Sequence, residues 1–543
     1  MMNTYTAITI GPIVKTFGKA RKVKAYWSAS YMFSWIMREL LKELTKKGYK
    51  VISPHYSPKL DGEQLLRQVG LFPDRAIIAR EVEELEEIKA DLEEIKAKVI
   101  RALAEKIGGE SASALEAYLQ SYIYIYGFPL ACTGEAEFVK GLNARLDALE
   151  LRQKAATEED TLFKKILAKN NGFINDYLEV QKKERGSERV PFETTSRIAV
   201  SGWLTDEEIE KYTIKGSEDP EGEKEVAMDY SRLSVEKQAE YRNCYKYLAV
   251  VKADGDSFGK FLSKLTAEQM EQFSKYFFGF SERSAKEVKD LKAVPVYIGG
   301  DDLFFFAPIL AIDRKQIFEL IEVVEQQFKD FRDQLVVDEK FGKEFRKVFD
   351  DIREDNPQTQ PLTMSYGVSI FYYKSPMAEA IEVADNLLFK VAKGSGRDRV
   401  AVSIHKHSGR KIEFTLPCKY STKGEEEQRL YREATELIKK YSADQNAMLD
   451  GLIHWFDEMF DVVITPILNS EKDEAKREQR LLALCENFFD KDIHKEEDKR
   501  DFLVDIFKFI ALLADKHYPA KEIKQLIYGL LRYCQFITDK EER

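Results

Sequence analysis

Apolar and polar positions in the middle of the chain alternate in a way that predicts a mixed sheet-and-helix domain. Short apolar runs bounded by turn residues are typical of buried strands, whereas apolar residues three and four apart are typical of helices. Together they form a βαββαβ order with one added unit, which predicts a ferredoxin-like or polymerase-palm sheet. The predicted strands cover residues 247–252, 294–298, 303–307, 362–373 and 400–405, and the predicted helices cover 267–291, 312–331 and 377–393.

The N-terminal part of the chain combines a short strand with long helices. Residues 5–10 are predicted to form a strand that the Gly11-Pro12 pair ends. A long helix is predicted to follow and to end near Lys47. Residues 79–107 place apolar residues three and four apart among alternating charges. This pattern predicts a long amphipathic helix, alone or as half of a coiled-coil hairpin.

The rest of the chain is predicted to be mainly helical. Helical patterns dominate residues 131–200 and the chain after Pro417, and the polar, acidic stretch 207–242 is predicted to be a connector or an exposed loop. At roughly 150 residues per domain, a chain of 543 residues would form three or four domains. A hydrophobic content of 44% excludes a long disordered polymer.

Charge is unevenly distributed. The chain has 84 Lys and Arg against 94 Asp and Glu, a net charge of −10, so any nucleic-acid contact must be local or shared with partner subunits. The first fifty residues differ, because ten Lys and Arg face only Glu39 and Glu43. A basic patch of this kind could hold RNA phosphates, although a solvated helix face is the common alternative.

The cysteine content and the hydropathy of the sequence indicate in which cellular compartment the protein is expected. The five cysteines stand far apart without a CxxC pair, which argues against a disulfide framework and a zinc finger. Neither a basic segment before a long apolar stretch nor an apolar run of about 18 residues occurs in the sequence. We therefore expect a cytoplasmic protein without a membrane partner.

Two carboxylate pairs fall where the predicted palm would bring them together. Asp254 and Asp256 end the first strand in ADGDSFG, and Asp301 and Asp302 lie in the tight turn GGDD between the second and third strands. The first strand of a ferredoxin-like sheet lies beside that hairpin, so the four carboxylates should converge on one edge. Carboxylates held this close need a neutralising cation, and oxygen ligands favour Mg²⁺ or Mn²⁺. Such ions suit in-line nucleotidyl transfer.

The glycines of the GGDD turn have a separate role. Gly299 and Gly300 permit unusual φ angles and close approach of a substrate to the backbone. Taken alone, GGDD could also be a plain hairpin with an acidic tip. The second carboxylate pair in ADGDSFG makes that alternative much weaker.

Cations follow in the stretch ADNLLFKVAKGSGRDRV. Lys393 is predicted in the last helical turn, and Arg397 and Arg399 lie just beyond a glycine-rich turn. These side chains could hold the oxygens of a triphosphate. The alternative is ordinary positive charge at a helix C-terminus with a glycine cap.

These motifs carry a resemblance to a known family. ADGDSF, GGDD, LTMSYGVSIFYY and ADNLLFKVAKGSGRDRV resemble, in that order, the motifs of the GGDEF nucleotide cyclase domain. Together with ITIGPIVKTFGKARKVKAYWSASYMFSWIM and SIHKHSG, they resemble the large subunit of type III CRISPR effector complexes, closest to the type III-B (Cmr) branch. The resemblance is strong over residues 1–50 and 245–410 and weak over the helical regions.

The resemblance implies an α+β fold with two ferredoxin-like palm domains, a helical middle domain and a helical C-terminal domain. The expected boundaries are 1–130 for a degenerate first palm with a helical insertion, 131–240 for a helical domain and linker, 241–416 for the second palm, and 417–543 for the C-terminal domain. Phe17-Gly18-Lys19 follows ITIGPIVKT much as Phe258-Gly259-Lys260 follows VVKADGDS. In that register Ile13 and Lys15 replace Asp254 and Asp256, so the first palm should lack the metal carboxylates.

The resemblance also implies a reaction. On binding of target RNA, the second palm would use ATP to make cyclic oligoadenylate, with Asp254, Asp301 and Asp302 as metal ligands and catalytic residues. Nucleotide-binding roles are expected for a further set of residues: Gly299, Gly300, Asp256, Ser257, Lys393 and Arg397. Two alternatives stay open, namely transfer of AMP from ATP to S-adenosylmethionine as a co-substrate and a catalytically silent scaffold. A free-standing diguanylate cyclase is disfavoured because the terminal regions match the CRISPR subunit.

The resemblance also bears on the HD phosphohydrolase domain of the family and on the expected partners. Many family members begin with an HD phosphohydrolase domain, but no His-Asp dipeptide occurs in this sequence, so we expect no HD-type DNase activity. The implied partners are the other Cmr subunits, the crRNA 5′ tag and, through the complex, target RNA. The residues expected to contact RNA or a partner are Lys19, Arg21, Lys22 and Lys24.

Overall fold

The computed structural model of the chain contains two main sheets and a set of packed helices. It describes residues 2–82, 84–108, 112–131, a few positions between 146 and 167, 169–188, 190–218, 224–355, 361–418, 429–441, 446–488 and 497–540. The described strands are β1 (Met2–Gly11), β2 (Lys50–Ser53), β3 (Arg75–Val82), β4 (Tyr124–Ala131), β5 (Thr213–Glu218), β6 (Lys224–Met228), β7 (Tyr247–Asp256), β8 (Val294–Gly299), β9 (Asp302–Pro308), β10 (Thr363–Tyr372), β11 (Arg399–His405) and β12 (Lys411–Pro417).

Helices make up most of the remaining described chain. In the N-terminal half they are α1 (Ile13–Phe17), α2 (Val23–Lys46), α3 (Leu85–Gly108), α4 (Ala112–Tyr122), α5 (Gly172–Arg185), α6 (Thr195–Val200), α7 (Asp206–Tyr212) and α8 (Val235–Glu240). In the second palm region they are α9 (Phe258–Leu262), α10 (Ala267–Asp290), α11 (Ile317–Val337), α12 (Gly342–Asp355) and α13 (Met377–Asn386), which continues as a π-helical turn over Leu387–Ala392. The C-terminal helices are α14 (Arg429–Tyr441), α15 (Asn446–Met459), α16 (Thr465–Ser470), α17 (Glu474–Phe488), α18 (Glu497–Asp515) and α19 (Ala520–Thr538).

The first sheet has the order β2-β3-β1-β4, and every neighbouring pair is antiparallel. Its connections give the chain order βαββαβ, because α1 and α2 lie between β1 and β2 while α3 and α4 lie between β3 and β4. Helix α2 buries Trp27, Met32 and Ile36 completely. The single helix predicted to end near Lys47 is two helices, and the helix predicted from residue 79 begins only after β3 has ended at Val82.

The second sheet has the order β12-β11-β10-β7-β9-β8. Its part β10-β7-β9-β8 is antiparallel and repeats the strand order of the first sheet, which is the ferredoxin-like arrangement. Strand β11 adds to β10 in parallel, and β12 closes that side as an antiparallel neighbour. The α+β fold with two palm sheets that the sequence predicted is therefore confirmed.

The core of the second palm is rich in phenylalanine. Helix α10 begins with a capping box between Thr266 and Gln269 and buries an apolar face against α11. Phe280 lies edge-on to Phe328 at 5.3 Å between ring centroids, and Phe277 lies 5.0 Å from Phe331. These aromatic contacts hold α10 and α11 together in the core of the second palm.

The two palms touch directly. The amide of Ile298 on the edge strand β8 donates a hydrogen bond of 2.9 Å to the carbonyl of Gly70 in the long connection between β2 and β3. Tyr26 of α2 lies edge-on to Phe304 of β9, with ring centroids 6.5 Å apart. The start of β3 therefore comes close to the turn between β8 and β9.

Helices cover the other side of the second sheet. Gly529 of α19 lies so close to Phe414 of β12 that an added Cβ would be 2.3 Å from that side chain. Among the described residues, no helix is both long and apolar enough to cross a membrane.

Candidate functional site

The ends of β7 and β9 bring the two acidic motifs together. Asp254 and Asp302 are directly paired in the antiparallel register, so their side chains share one face of the sheet. One residue further, the amide of Gly255 donates a 2.9 Å hydrogen bond to the carbonyl of Asp301. The ADGD strand end and the GGDD turn thus form one continuous acidic edge.

The GGDD turn needs glycine for two different reasons. Gly300 has φ +62°, in the left-handed region that side chains rarely adopt. Gly299 instead lies against the first palm, where an added Cβ would be 2.5 Å from the carbonyl oxygen of Leu71. The turn is therefore shaped both by its own tight geometry and by the neighbouring domain.

The carboxylates of the turn resist ionisation. Loss of hydration and, to a smaller extent, the charge of Asp302 together raise the pKa of Asp301 to about 7. Loss of hydration also raises the pKa of Asp302, while Lys252 lowers it. Two residues of the first palm act on Asp301 as well, since Asp74 raises its pKa and Arg75 lowers it. A bound cation would relieve this accumulated negative charge.

Lys393 faces the carboxylates of the first motif. Its ammonium contacts the Asp254 carboxylate, lies 3.7 Å from Oδ1 of Asp256, and donates a 3.0 Å hydrogen bond to the carbonyl of Gly255. Burial and, to a smaller extent, the charge of Arg397 lower the pKa of Lys393 to about 8, so its ammonium is still mainly protonated at neutral pH.

Asp256 and Ser257 lie at the junction of three segments. Asp256 has no exposed surface, and its Oδ2 accepts hydrogen bonds from Thr363, Ser365 and the amide of Asp398. Burial raises the pKa of Asp256, whereas these hydrogen bonds lower it. Ser257 has a left-handed φ of 63° and accepts a 3.3 Å hydrogen bond from Nη1 of Arg397.

A cleft opens beside the GGDD turn on the side of the first palm. It has a volume of about 280 Å³, and its lining includes Gly300, Asp301, Phe258, Pro73 and Asp74. Phenyl and proline rings give the cleft an apolar wall, while the carboxylates give it a charged end. This combination suits a ligand with a flat apolar part and a metal-bound anionic part.

The first palm carries different residues at the equivalent positions. Strand β1 pairs Thr9 with Arg75 of β3 and Gly11 with Tyr124 of β4, just as β7 pairs Asp254 with Asp302 and Asp256 with Thr363. Thr9 and Gly11 therefore take the places of Asp254 and Asp256. The predicted equivalence of Ile13 and Lys15 is wrong, because both lie in α1 after the strand has ended.

The acidic edge fits a hard divalent ion by its chemistry. All its ligand atoms are oxygens, which Mg²⁺ and Mn²⁺ prefer. In the part of the chain that the structure describes, no three His, Cys, Asp or Glu side chains converge as a complete metal site. Mg²⁺ is commonly held by one or two carboxylates together with substrate phosphates, so an incomplete protein shell is compatible with it. Asp254, Asp301 and Asp302 are the side chains that would hold such an ion together with substrate phosphates.

The four basic residues predicted to contact RNA or a partner lie at the junction of α1 and α2. Lys19 lies over the ring of Tyr122 at 5.4 Å, and Nη1 of Arg21 donates to the carbonyls of Gly18 and Ala20. Lys22 precedes the first turn of α2, and Lys24 donates a 3.2 Å hydrogen bond to Asn170. Their shared location makes one basic surface, which we call the α1–α2 basic surface.

Several residues around the acidic edge were not predicted from the sequence. Asp74 and Arg75 reach it from the first palm, and Lys252 reaches it from β7, where it forms an ion pair with Asp385. Thr363 and Ser365 were also missed. The sequence contains a signal for them, because Thr363 and Ser365 are polar positions two residues apart at the start of a strand that is mainly apolar.

Family comparisons match both halves of this architecture. The family described as Cas10/Cmr2, second palm domain, matches residues 247–401. The family described as CRISPR-associated protein Cmr2, N-terminal, matches residues 5–108. The first match includes the strands β7 to β10 of the second sheet, and the second match includes the strands β1 to β3 of the first sheet.

A curated relative and solved structures agree with these matches. The CRISPR system Cmr subunit Cmr2 of Pyrococcus furiosus is 27% identical over 197 residues, which are 31% of this chain and 20% of the relative. The match thus spans about a fifth of that relative's length. Residues 5–108 and 247–401 of the chain are therefore similar to two domains of the Cas10/Cmr2 family.

One solved structure supports the fold at lower sequence similarity. A chain of a type III-B Cmr-beta complex in the apo state aligns with a TM-score of 0.53 and 11% identity, covering 88% of this chain and 76% of that one. A chain of a Csm1-Csm4 cassette in complex with cA4 aligns with a TM-score of 0.47 and 16% identity, covering 94% of this chain and 70% of that one.

Proposed function

We propose that the chain is the nucleotide-synthesising subunit of a type III CRISPR effector complex. On binding of target RNA, the second palm would join ATP molecules into cyclic oligoadenylate. The 3′-hydroxyl oxygen of one ATP forms a bond to the α-phosphorus of another and loses its proton to solvent. The bond between that phosphorus and the α–β bridging oxygen breaks, and pyrophosphate leaves. The observation that supports this best is the direct pairing of Asp254 with Asp302 beside the Asp301 turn.

Each residue of the acidic edge has a defined part in this proposal. Asp254, Asp301 and Asp302 would hold divalent ions, which when bound supply a Lewis acid for the reacting oxygens. Lys393 lies close enough to the edge to neutralise triphosphate oxygens, and Arg397 lies beside it. A bound divalent ion would offset the repulsion between the Asp301 and Asp302 charges, which is one of the causes that raise the pKa of Asp301.

Glycine and serine would shape the substrate pocket. Gly300 lines the cleft without a side chain, which lets a nucleotide approach the backbone closely. Ser257 precedes the short helix α9 and holds Arg397 through its hydroxyl. A ribose or phosphate oxygen in the cleft would lie near these groups and next to the carboxylates.

The partners proposed for this chain are the other Cmr subunits, the crRNA 5′ tag and, through the complex, target RNA. The α1–α2 basic surface is the proposed contact with the 5′ tag or an adjacent subunit. Charge reversal at Lys19, Arg21, Lys22 and Lys24 should prevent assembly of the complex, measured by size-exclusion chromatography with labelled crRNA. Assembly at the wild-type level would contradict this contact.

The nucleotide product tests the proposed reaction. The RNA-activated complex is incubated with ATP and Mg²⁺, with and without S-adenosylmethionine, and the products are identified by mass spectrometry. Oligoadenylate rings that do not depend on S-adenosylmethionine are expected. A product that appears only with S-adenosylmethionine would identify a different acceptor, and no product with either would indicate a scaffold.

A matched variant ties the product to the acidic edge. Asp301→Ala/Asp302→Ala should abolish the product while the complex still assembles on crRNA. Asp290→Ala, at the end of α10 and away from the turn, serves as the control. Product formation by the double variant at the wild-type rate would refute the assignment of this site.

A further inference from the structure

Asp256 is the most buried carboxylate of the acidic edge, and its hydrogen bonds connect it to neighbouring segments of the chain. Its side chain has no exposed surface. Oδ2 accepts hydrogen bonds of 2.9 Å from Thr363 Oγ1, 2.8 Å from Ser365 Oγ and 3.1 Å from the amide of Asp398. Among the described residues Oδ1 accepts no hydrogen bond, and it lies 3.7 Å from Nζ of Lys393.

The segment that Asp256 holds is a strained turn. Gly396, Arg397 and Asp398 have successive φ values of 110°, 67° and 52°. Left-handed conformations cost energy for residues with a side chain, so such a run persists only where its surroundings fix it. The amide of Asp398 is fixed twice, because it also donates a 3.0 Å hydrogen bond to Oγ of Ser365.

Ser365 links these contacts into one network. Its hydroxyl donates to Asp256 and accepts from the amide of Asp398, so one side chain on β10 connects the end of β7 with the turn before β11. The same turn carries Arg397, whose guanidinium reaches Ser257 directly after Asp256. Displacement of the turn would therefore move Arg397 away from the acidic edge.

We propose that Asp256, with Thr363 and Ser365, is a positioning centre that sets the placement of Arg397 and Lys393 for binding the nucleotide triphosphate. Asp256 fixes the turn that carries Arg397 and presents Oδ1 to the ammonium of Lys393. It does so without touching the nucleotide, since it has no exposed surface. This inference rests on the proposed function, because it assumes that the acidic edge binds a nucleoside triphosphate.

The test distinguishes the effect of the Thr363 hydroxyl group from the effect of the side-chain shape. Thr363→Val keeps the side-chain shape and removes one donor to Asp256, whereas Thr363→Ser keeps the donor and removes a methyl group. Ser365→Ala removes the link to Asp398. Ser369→Ala is the matched control, because Ser369 is equally buried on β10 and its hydroxyl has no hydrogen-bond partner in the described part of the chain.

Two readouts are needed. The first is the Kd of the full chain for α,β-methylene ATP with Mg²⁺, since the α–β bridge of this analogue is not cleaved. The second is the KM and kcat for ATP in the RNA-activated complex. Loss of one hydrogen bond in Thr363→Val and of two in Ser365→Ala should raise Kd and KM about 5- to 10-fold, with kcat falling less than about threefold. Thr363→Ser and Ser369→Ala should match the wild type.

The outcomes separate this inference from the proposed function. If the wild-type complex makes no product but Kd still follows the predicted pattern, the positioning role stands and the proposed reaction fails. If product is made but Kd and KM are unchanged in Thr363→Val and Ser365→Ala, the positioning role is overturned. A lowered melting temperature of Thr363→Val and Ser365→Ala with unchanged Kd would also overturn the positioning role. So would a Thr363→Ser variant that binds the analogue as weakly as Thr363→Val does.

Discussion

The two palms of this chain share a strand order and differ at the positions where chemistry would occur. Both sheets contain the antiparallel sequence of strands fourth, first, third, second. At the paired ends of the central strands, the second palm has Asp254 opposite Asp302, and the first has Thr9 opposite Arg75. The acidic edge is therefore an addition to the fold and no requirement of it.

The connections between the second and third strands differ as strongly. In the second palm, Gly300 and Asp301 alone separate β8 from β9, while residues 54–74 separate β2 from β3. The long connection of the first palm reaches across to β8 and places Asp74 beside the GGDD turn. One palm thus supplies the carboxylates, and the other supplies the wall that encloses them.

The sharpest test of this difference compares Asp254→Asn with Thr9→Val. Asn keeps the shape of Asp but removes the charge that would hold a cation, so we expect product formation to fall at least about 100-fold. Thr9→Val, at the equivalent place in the first palm, should change the rate less than about threefold. Rates are measured as nucleotide product formed by the RNA-activated complex. Equal losses in both variants would show that the palms contribute equally.

Substitution of Lys393 should have the next largest effect. Lys393→Gln removes the cation that faces Asp254, and we expect KM for ATP to rise about tenfold, because a charge-assisted contact contributes about 1.5–3 kcal/mol before exposure weakens it. Lys390→Gln, an exposed lysine one turn earlier, is the control and should leave KM unchanged. An unchanged KM in Lys393→Gln would show that this ammonium does not contribute to binding of the triphosphate.

Glycine substitution tests the contact between the palms. An added Cβ at Gly299 would lie 2.5 Å from the Leu71 carbonyl, so Gly299→Ala should destabilise the fold by about 1–3 kcal/mol. At Gly300 the nearest atom would be 3.4 Å away, and the left-handed backbone alone should cost about 1 kcal/mol. Thermal unfolding followed by circular dichroism measures both. A larger loss for Gly300→Ala would show that the turn, and not the palm contact, limits stability.

The smallest expected effect concerns a carboxyl pair between the long connection and α10. Burial and the neighbouring Glu63 raise the pKa of Glu282 to about 7. Folding therefore favours protonated Glu282, and its contribution to stability is lost as pH rises from about 4.5 to 7. Glu282→Gln should stabilise the chain at pH 8 by on the order of 1 kcal/mol, after allowance for solvent screening, and much less at pH 4.5. A gain that is independent of pH would exclude this pair as its source.

Much of the second palm was predictable because its strands and helices carry strong local patterns. The apolar runs of β7, β8, β9 and β10 are bounded by turn residues, and their order alone predicts that ADGD and GGDD meet. Strand β12 was missed although Ile412, Phe414 and Leu416 alternate with more exposed residues, which is a period-two signal.

The first palm was harder to predict because its evidence is not local. The FGK triplet suggested an alignment of the two palms that the strand register corrects to Thr9 and Gly11. Asp74 and Arg75 could not be placed at the acidic edge, since only tertiary packing brings them from one sheet to the other. The end of β3 was assigned to a helix because its charged residues continue the pattern of α3.

The hydrogen bond from Ile298 to Gly70 has a consequence for handling the second palm by itself. Strand β8 ends the sheet, and an uncovered end strand offers free backbone groups to another copy of the chain. In the whole chain the segment around Gly70 covers that border. A fragment comprising residues 241–416 would lose this cover. Its exposed strand β8 could then pair with β8 of another copy, and the fragment would tend to aggregate.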